Sequence, residues 1–335
     1  MSYALAISRS GAHAYSLPSR AAIEANAAKY CNEIHAKLTD PTLAQTLFRE
    51  LLAPIQDYGE KRDLVIVPDG QLHLLPFSAL GNKGAYVIST HTVGVVPSST
   101  AFVILNQQSE EKESAEMPYI GVAAWTQNTD SRSPILRAIS GPERSEFVPL
   151  PQSEAEVETI AHDLPRPNTI LLGANATETR FKELSTESTE VIHLALHGYA
   201  DVDYPDRSAL IFAPEVNGPD DGLLQAREIR ELHIKAKLVT LSACDTGVGP
   251  VGEADVANVV NAFIEAGADS VVSTLWDLED ESTEHLMKVF YSRLALHERK
   301  VDALRSAQLD LLNQGLSPYF WAGVQIVGDP SGTIR

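Results

Sequence analysis

The chain has 335 residues, and its 45 acidic and 26 basic side chains give it a formal net charge of −19. This charge excludes nucleic acid and anionic membrane surfaces as main binding partners, because phosphate groups bind to basic faces. Two cysteines cannot build a disulfide scaffold, no apolar run reaches the ~20 residues of a membrane span, and the N-terminus lacks a signal pattern, so we expect a soluble, cytoplasmic protein with reduced thiols.

The first third of the chain has the pattern of a small α/β unit. Alternating residues predict a hairpin, apolar spacing predicts three helices, and apolar runs predict strands. These elements cover residues 3–17, 18–38, 43–52, 64–67, 86–96 and 99–106. The sequence that follows is polar and charged throughout, which is typical of a linker. We therefore predict a lobe of residues 1–106, a linker of residues 107–117 and a main domain of residues 118–335.

In the main domain, short apolar runs alternate with helical patterns. This alternation predicts a parallel sheet with helices on both faces, in which the functional site lies at the carboxyl ends of the strands. The predicted strands are 119–124, 169–172, 191–196, 209–212, 238–242, 270–275 and 321–327. The predicted helices are 153–162, 177–184, 224–232, 253–266, 279–296 and 301–314.

Two of these strands end in loops that carry reactive side chains. His197 and Gly198 follow one strand, and Cys244 and Asp245 follow another. A histidine and a cysteine at the ends of two strands are the minimum set for thiolate attack on a carbonyl, since the imidazole can take the thiol proton and later protonate the leaving amine. The backbone amides of Gly198 and Cys244 are the candidate donors to the oxyanion.

These residues also have simpler or competing interpretations. A lone cysteine after an apolar strand is more often a small buried hydrophobe than a nucleophile. The run Gly247-Val-Gly-Pro-Val-Gly252, with Asp277 further on, satisfies a dinucleotide-binding pattern. However, Pro250 removes a backbone donor from the middle of that run, and Cys244-Asp-Thr246 stands between the strand and the first glycine. Nucleotide binding is therefore the weaker interpretation.

The spacing of His193 and His197 is that of a zinc site on a helix. Both lie on a predicted strand, where residues four apart are about 13 Å from each other. We interpret His193 as a structural histidine and predict no metal and no cofactor.

A series of short motifs in chain order then makes the sequence recognisable. They are VPDGQLHLLPFSAL at 67–80, HLALHG at 193–198, LSACDTG at 241–247, Gly252-Glu253, AFIEAGA at 262–268, VVSTLW at 271–276 and PYFWA at 318–322. Together they make the chain similar to the CHAT-domain family, relatives of caspases and separase among the cysteine peptidases. The family often has Gly-Glu-Gly where this chain has Gly252-Glu253-Ala254, so the local shape of that loop does not carry over.

The resemblance implies a caspase-like parallel sheet flanked by helices, with residues 1–106 as a pseudo-protease lobe. It implies a cysteine endopeptidase in which Cys244 is the nucleophile and His197 the catalytic histidine, acting on a protein substrate by limited proteolysis. Family members often act in bacterial defence or cell death under the control of a bound sensor. Many carry TPR repeats that are absent here, so the implied activator is a separate TPR-like protein. The alternative is a catalytically silent caspase-fold scaffold.

Acidic side chains are concentrated in the second part of the chain. Residues 1–117 carry 9 basic and 12 acidic side chains, a net −3, whereas residues 118–335 carry 17 and 33, a net −16. Several of these acids fall on loops at the strand ends. We therefore predict substrate contacts from Asp203, Asp245, Trp276 and Asp277, and a substrate with a basic residue before the cleaved bond.

Overall fold

The chain is described by a computed structural model over residues 2–38, 40–55, 58–82, 85–111, 117–125, 150–164, 167–185, 189–199, 201, 203–215, 218–242, 255–276 and 278–334. Its helices are α1 Arg20–His35, α2 Thr42–Leu51, α3 Val87–Thr90, α4 Ser99–Glu111, α5 Pro151–Asp163, α6 Glu178–Ser185, α7 Ala226–Glu231, α8 Asp255–Glu265, α9 Asp280–Leu294 and α10 Lys300–Asn313. Over these ranges, no helix is both long and apolar enough to cross a membrane.

The strands form one large sheet and three small ones. The strands are β1 Ser2–Ser8, β2 Gly11–Leu17, β3 Asp63–Ile66, β4 Gly81–Asn82, β5 Ala85–Tyr86, β6 Thr92–Val95, β7 Met117–Ala123, β8 Asn168–Leu172, β9 Thr189–Ala195, β10 His197–Tyr199, β11 Ala209–Ile211, β12 Leu223–Gln225, β13 Leu238–Ser242, β14 Ser270–Thr274 and β15 Val324–Gly328. The large sheet has the strand order β3-β6-β15-β14-β13-β9-β7-β8.

This sheet consists of two parallel blocks that run in opposite directions. The strands β14, β13, β9, β7 and β8 are parallel to one another, as the apolar runs predict. Strand β15 pairs antiparallel with β14 and parallel with β6, which is in turn parallel to β3. The expected α/β architecture is therefore confirmed, with one correction: the strand predicted at 321–327 reverses the direction of the sheet.

Burial on both faces explains the apolar strands. Every residue of β9 is buried, and its side chains alternate between two cores. Val191 and Ala195 belong to the core on one face, and Ile192 and Leu194 to the core on the other. A strand covered by helices on both sides has no face turned to solvent, and this is why its sequence is mainly apolar.

The chain segments before and after the expected linker both contribute strands to the large sheet. Strand β6 hydrogen-bonds to β15, and the Arg305 guanidinium of α10 donates to the backbone carbonyls of Ile88 and Ser89. Residues 1–106 therefore contribute β3 and β6 to a common sheet instead of enclosing these strands in a sheet of their own. The division into a lobe and a main domain as units that fold independently stays a prediction.

Two predicted segments differ from the structure. Helix α4 runs to Glu111, so residues 107–111 of the predicted linker are helical. A polar composition is compatible with a helix here, because Gln and Glu are good helix formers. The strand predicted at 209–212, which is β11, is not part of the large sheet. It pairs antiparallel with β10 and β12 in the three-stranded sheet.

The predicted N-terminal hairpin is confirmed. Strands β1 and β2 pair with each other in a sheet of two strands. One face of β1 exposes Tyr3, Leu5 and Ile7, each more than 60% accessible.

We expect a fragment of residues 118–335 to be much less stable than the full chain. Without residues 1–117, β15 loses its β6 partner, and the shared core loses Leu80, Val87 and Ile88. The midpoint of thermal unfolding, measured by circular dichroism, should fall by at least about 10 °C, or the fragment should aggregate. A fragment that unfolds cooperatively within about 3 °C of the full chain would instead support an independent main domain.

Candidate active site

The predicted histidine and cysteine continue two neighbouring strands. Strands β9 and β13 are parallel and in register, and Ala195 at the end of β9 lies opposite Ser242 at the end of β13. His197 is two residues beyond Ala195, and Cys244 is two residues beyond Ser242. Parallel strands end at the same edge of a sheet, so both chain segments leave the sheet side by side.

Three of the predicted site residues lie outside the described residues: Cys244, Asp245 and Asp277. So does the run 247–252.

His197 is fixed by a second, smaller sheet. It is the first residue of β10, its side chain has no exposed surface, and it pairs with Ile211 of β11. Gly198 lies opposite Leu210 in the same pairing. The antiparallel partner thus sets the direction of the chain immediately after β9. The oxyanion role of the Gly198 amide stays a prediction.

Trp125 contacts this histidine, and this tryptophan was not predicted from the sequence as a site residue. Its ring centroid is 5.8 Å from that of His197. The indole Nε1–H donates a hydrogen bond of 2.8 Å to the backbone oxygen of Ile211, the residue opposite His197. The signal that could have revealed it is its position two residues after β7, at the same edge of the sheet as His197.

Trp276, predicted to contact substrate, is largely occupied by internal packing. Only 6% of the residue is accessible. Its Nε1–H donates to the Tyr319 carbonyl at 3.0 Å, and its ring meets His35 of α1 edge-on at a centroid distance of 5.3 Å. Gly323 packs against the ring so closely that a Cβ there would lie 2.7 Å from a ring carbon. These contacts connect the end of β14 to α1 and to the segment that precedes β15.

The acids near the site differ in their partners. Asp206 is 2.6 Å from the Arg230 guanidinium, which also binds Glu265. The Asp201 carboxylate accepts the backbone N–H of Tyr204 at 2.8 Å. Asp203 is exposed. Of these loop acids, Asp206 is therefore neutralised within the protein, whereas Asp203 faces solvent.

Three other carboxylates, Glu178, Asp220 and Glu228, form a compact group. The ligand atoms of Glu178, Asp220 and Glu228 lie within 4.8 Å of one another. The Lys182 ammonium is 2.6, 2.8 and 3.1 Å from them, respectively, and so occupies the place of a cation. Burial alone would lower the pKa of Lys182, but the carboxylates raise it. The same lysine lowers the pKa of Asp220, against the opposing effect of burial.

We expect Lys182→Met to destabilise the fold by about 2–3 kcal/mol at pH 7, because it leaves three neighbouring carboxylates without their cation. The folded-state pKa of Asp220 is lowered, so the stability from its ion pair is present above its unfolded pKa of about 3.9 and is lost as the pH falls below it. The difference in unfolding free energy should therefore shrink toward pH 3 in urea titrations. Lys235→Met, at an exposed lysine, is the control and should change little at either pH.

Comparison with solved structures defines the class of fold. The chain is similar to Saccharomyces cerevisiae separase in its complex with securin, with a TM-score of 0.50 and 12% identity over 85% of this chain and 17% of that one. It is also similar to the complex of Porphyromonas gingivalis RgpB pro- and mature domains, with a TM-score of 0.55 and 9% identity over 91% of this chain and 72% of that one. The protein has the caspase-like fold of cysteine peptidases.

The family model of the CHAT domain matches residues 41–329, and the chain belongs to this family. The sequence is also similar to Tetratricopeptide repeat protein 28, at 23% identity for the Homo sapiens protein and 24% for that of Mus musculus. These similarities cover 85% and 87% of this chain but 13% of each relative. The chain therefore spans about an eighth of the length of the relatives it matches.

Proposed function

We propose that the protein is a cysteine endopeptidase in which Cys244 is the nucleophile and His197 the general base. The observation that carries this proposal is the register of β9 and β13. It aligns Ala195 with Ser242, and each residue stands two positions before one member of the Cys-His pair. The membership of the chain in the CHAT family and its caspase-like fold support the same assignment.

In the proposed reaction, the imidazole of His197 takes the thiol proton and the Cys244 thiolate attacks the substrate carbonyl. The amides of Gly198 and Cys244 stabilise the oxyanion. Collapse of this intermediate leaves a thioester on Cys244 and releases the amine, which takes its proton from His197. Water then hydrolyses the thioester. Trp125 supports the histidine in this scheme, because it contacts the imidazole ring and binds the opposite strand.

Complete burial of His197 supports regulation by a partner protein. The side chain has no accessible surface, so a substrate must displace the covering residues to reach it. We propose that a TPR-containing protein or segment provides this rearrangement. Support comes from the name of the relatives, Tetratricopeptide repeat protein 28, of which this chain matches only 13%. The same burial also fits a silent scaffold, which is the second candidate function.

The catalytic assignment is tested by Cys244→Ala and His197→Ala in a cleavage assay with a peptide library and a candidate TPR partner. Each change should reduce cleavage by about 1000-fold or more, because the nucleophile and its base act as a unit. Cys31→Ser is the matched control and should retain full activity, since Cys31 lies in α1 and a serine hydroxyl can also donate to the Leu74 carbonyl that its thiol contacts. Cleavage that survives Cys244→Ala in a folded protein would contradict the mechanism. No cleavage by the wild type with its partner present would favour the scaffold.

We expect the same library to show a preference for Arg or Lys before the cleaved bond. Asp206 is paired with Arg230, so the expected acidic contacts are Asp203, Asp245 and Asp277. Asp203→Asn should weaken the preference for basic residues, whereas Asp206→Asn should leave it unchanged. A preference for Asp at this substrate position would contradict the acidic cleft.

A further inference from the structure

A buried polar network joins the two strands that lead to the proposed catalytic residues. It comprises five side chains, each at most 9% accessible: Glu156, His193, Thr240, Ser242 and Tyr291. They come from α5, β9, β13 and α9. The proposed mechanism uses none of them.

The carboxylate of Glu156 contacts both strands. The Ser242 hydroxyl donates to Glu156 Oε1 at 2.7 Å, and the same oxygen is 3.1 Å from His193 Nε2. Ser242 is the last residue of β13, and His193 lies in β9. One carboxylate oxygen therefore holds the end of β13 against the neighbouring strand.

The rest of the network fixes the histidine from its other side. The Tyr291 hydroxyl donates to Thr240 Oγ1 at 2.7 Å, and it lies 2.9 Å from His193 Nδ1. Burial, with a smaller contribution from Glu156, raises the pKa of Tyr291, so the phenol keeps its proton. His193 is thus buried within the strand and hydrogen-bonded through Nδ1 to Tyr291, while its Nε2 lies close to Glu156 without making a hydrogen bond to it.

A second pair connects the same two strands at their opposite end. Glu190 is the second residue of β9, and its carboxylate is 2.7 Å from the ammonium of Lys237, which directly precedes β13. Both residues are largely buried. At the start of the strand pair, a lysine neutralises the Glu190 carboxylate. At its end, Glu156 accepts a hydrogen bond from a hydroxyl and lies close to an imidazole. Each contact involves a buried carboxylate, and the two lie at opposite ends of the β9–β13 strand pair.

We propose that Glu156 is a positioning residue that fixes the end of β13, and with it the loop that carries Cys244, relative to the histidine strand β9. This inference rests on the proposed function, because it assigns Cys244 as the reactive thiol. Glu156 acts only through Ser242, two residues before Cys244. Displacement of a reacting group by about 1 Å can cost 100-fold in rate, so a contact this close to the loop has a measurable effect.

The experiment measures the alkylation rate of Cys244 by iodoacetamide between pH 5 and 9, with peptide mass spectrometry to separate Cys244 from Cys31. Glu156→Leu removes the acceptor of the Ser242 hydroxyl. The Cys244 rate at pH 7 should fall by about tenfold or more and its pH profile should shift, while the Cys31 rate stays constant. Glu156→Gln keeps an acceptor oxygen and should recover most of the rate.

Glu190→Leu is the matched control, because it removes a buried carboxylate from the other end of the same strand pair. It should lower the melting temperature to a similar extent as Glu156→Leu and change the Cys244 rate by less than about twofold. If Glu156→Leu does not fold, Ser242→Ala breaks the same contact from the other side and should reproduce the loss. In the Ser242→Ala background, Glu156→Gln should cause no further loss, because the hydroxyl that binds this acceptor oxygen is already absent.

The inference is overturned if Glu156→Leu, or Ser242→Ala in its place, leaves the Cys244 rate unchanged. It is equally overturned if Glu190→Leu slows Cys244 as much. The same assay on His197→Ala distinguishes a failure of this inference from a failure of the proposed function. If His197→Ala leaves the Cys244 rate and its pH profile unaltered, the Cys-His mechanism fails, whatever the effect of Glu156.

Discussion

The in-register parallel pairing of β9 and β13 is the constraint on which the candidate site depends. Two strands that are buried on both faces and hydrogen-bonded residue by residue cannot slip, because a shift of one residue would turn apolar side chains toward the wrong core. The chain segments beyond Ala195 and Ser242 therefore leave the sheet at fixed and adjacent points. The small sheet of β10, β11 and β12 and the Trp125 ring then orient the first of these segments.

Sequence patterns predicted the elements of this sheet well because most of its strands are buried on both faces. The runs that became β9, β13 and β14 were predicted to within two residues at each end, since all three strands are mainly apolar. The direction of β15 was missed, because apolar content carries no information on whether a strand runs up or down. Trp125 and Glu156 were missed for a different reason: their partners Ile211 and Ser242 are 86 residues away in sequence in each case. A tryptophan after an apolar run and a glutamate in a helix have no distinguishing sequence pattern, and only the fold brings them close to these partners.

Charge is distributed unevenly along the strand pair β9 and β13. At one end, the Glu190–Lys237 pair is an ion pair between largely buried groups. At the other, Glu156 meets a serine and a histidine. Some acids of the second part of the chain are paired with basic side chains, as Glu178 is with Lys182 and Asp206 with Arg230. The overall count of acids therefore overstates the negative potential available to a substrate, and individual residues such as Asp203 matter more than the total.

The position of β15 between β6 and β14 has a consequence for how the protein is made. The strand that joins the two parallel blocks follows all the other described strands of this sheet in the sequence, although it lies inside the sheet. Ribosomes add roughly 5–20 residues per second, so β6 waits many seconds for its neighbour. Pairings between such distant segments form slowly. Until β15 is inserted the sheet stays in two parts, and β6 and β14 each present one open edge at which another chain can pair.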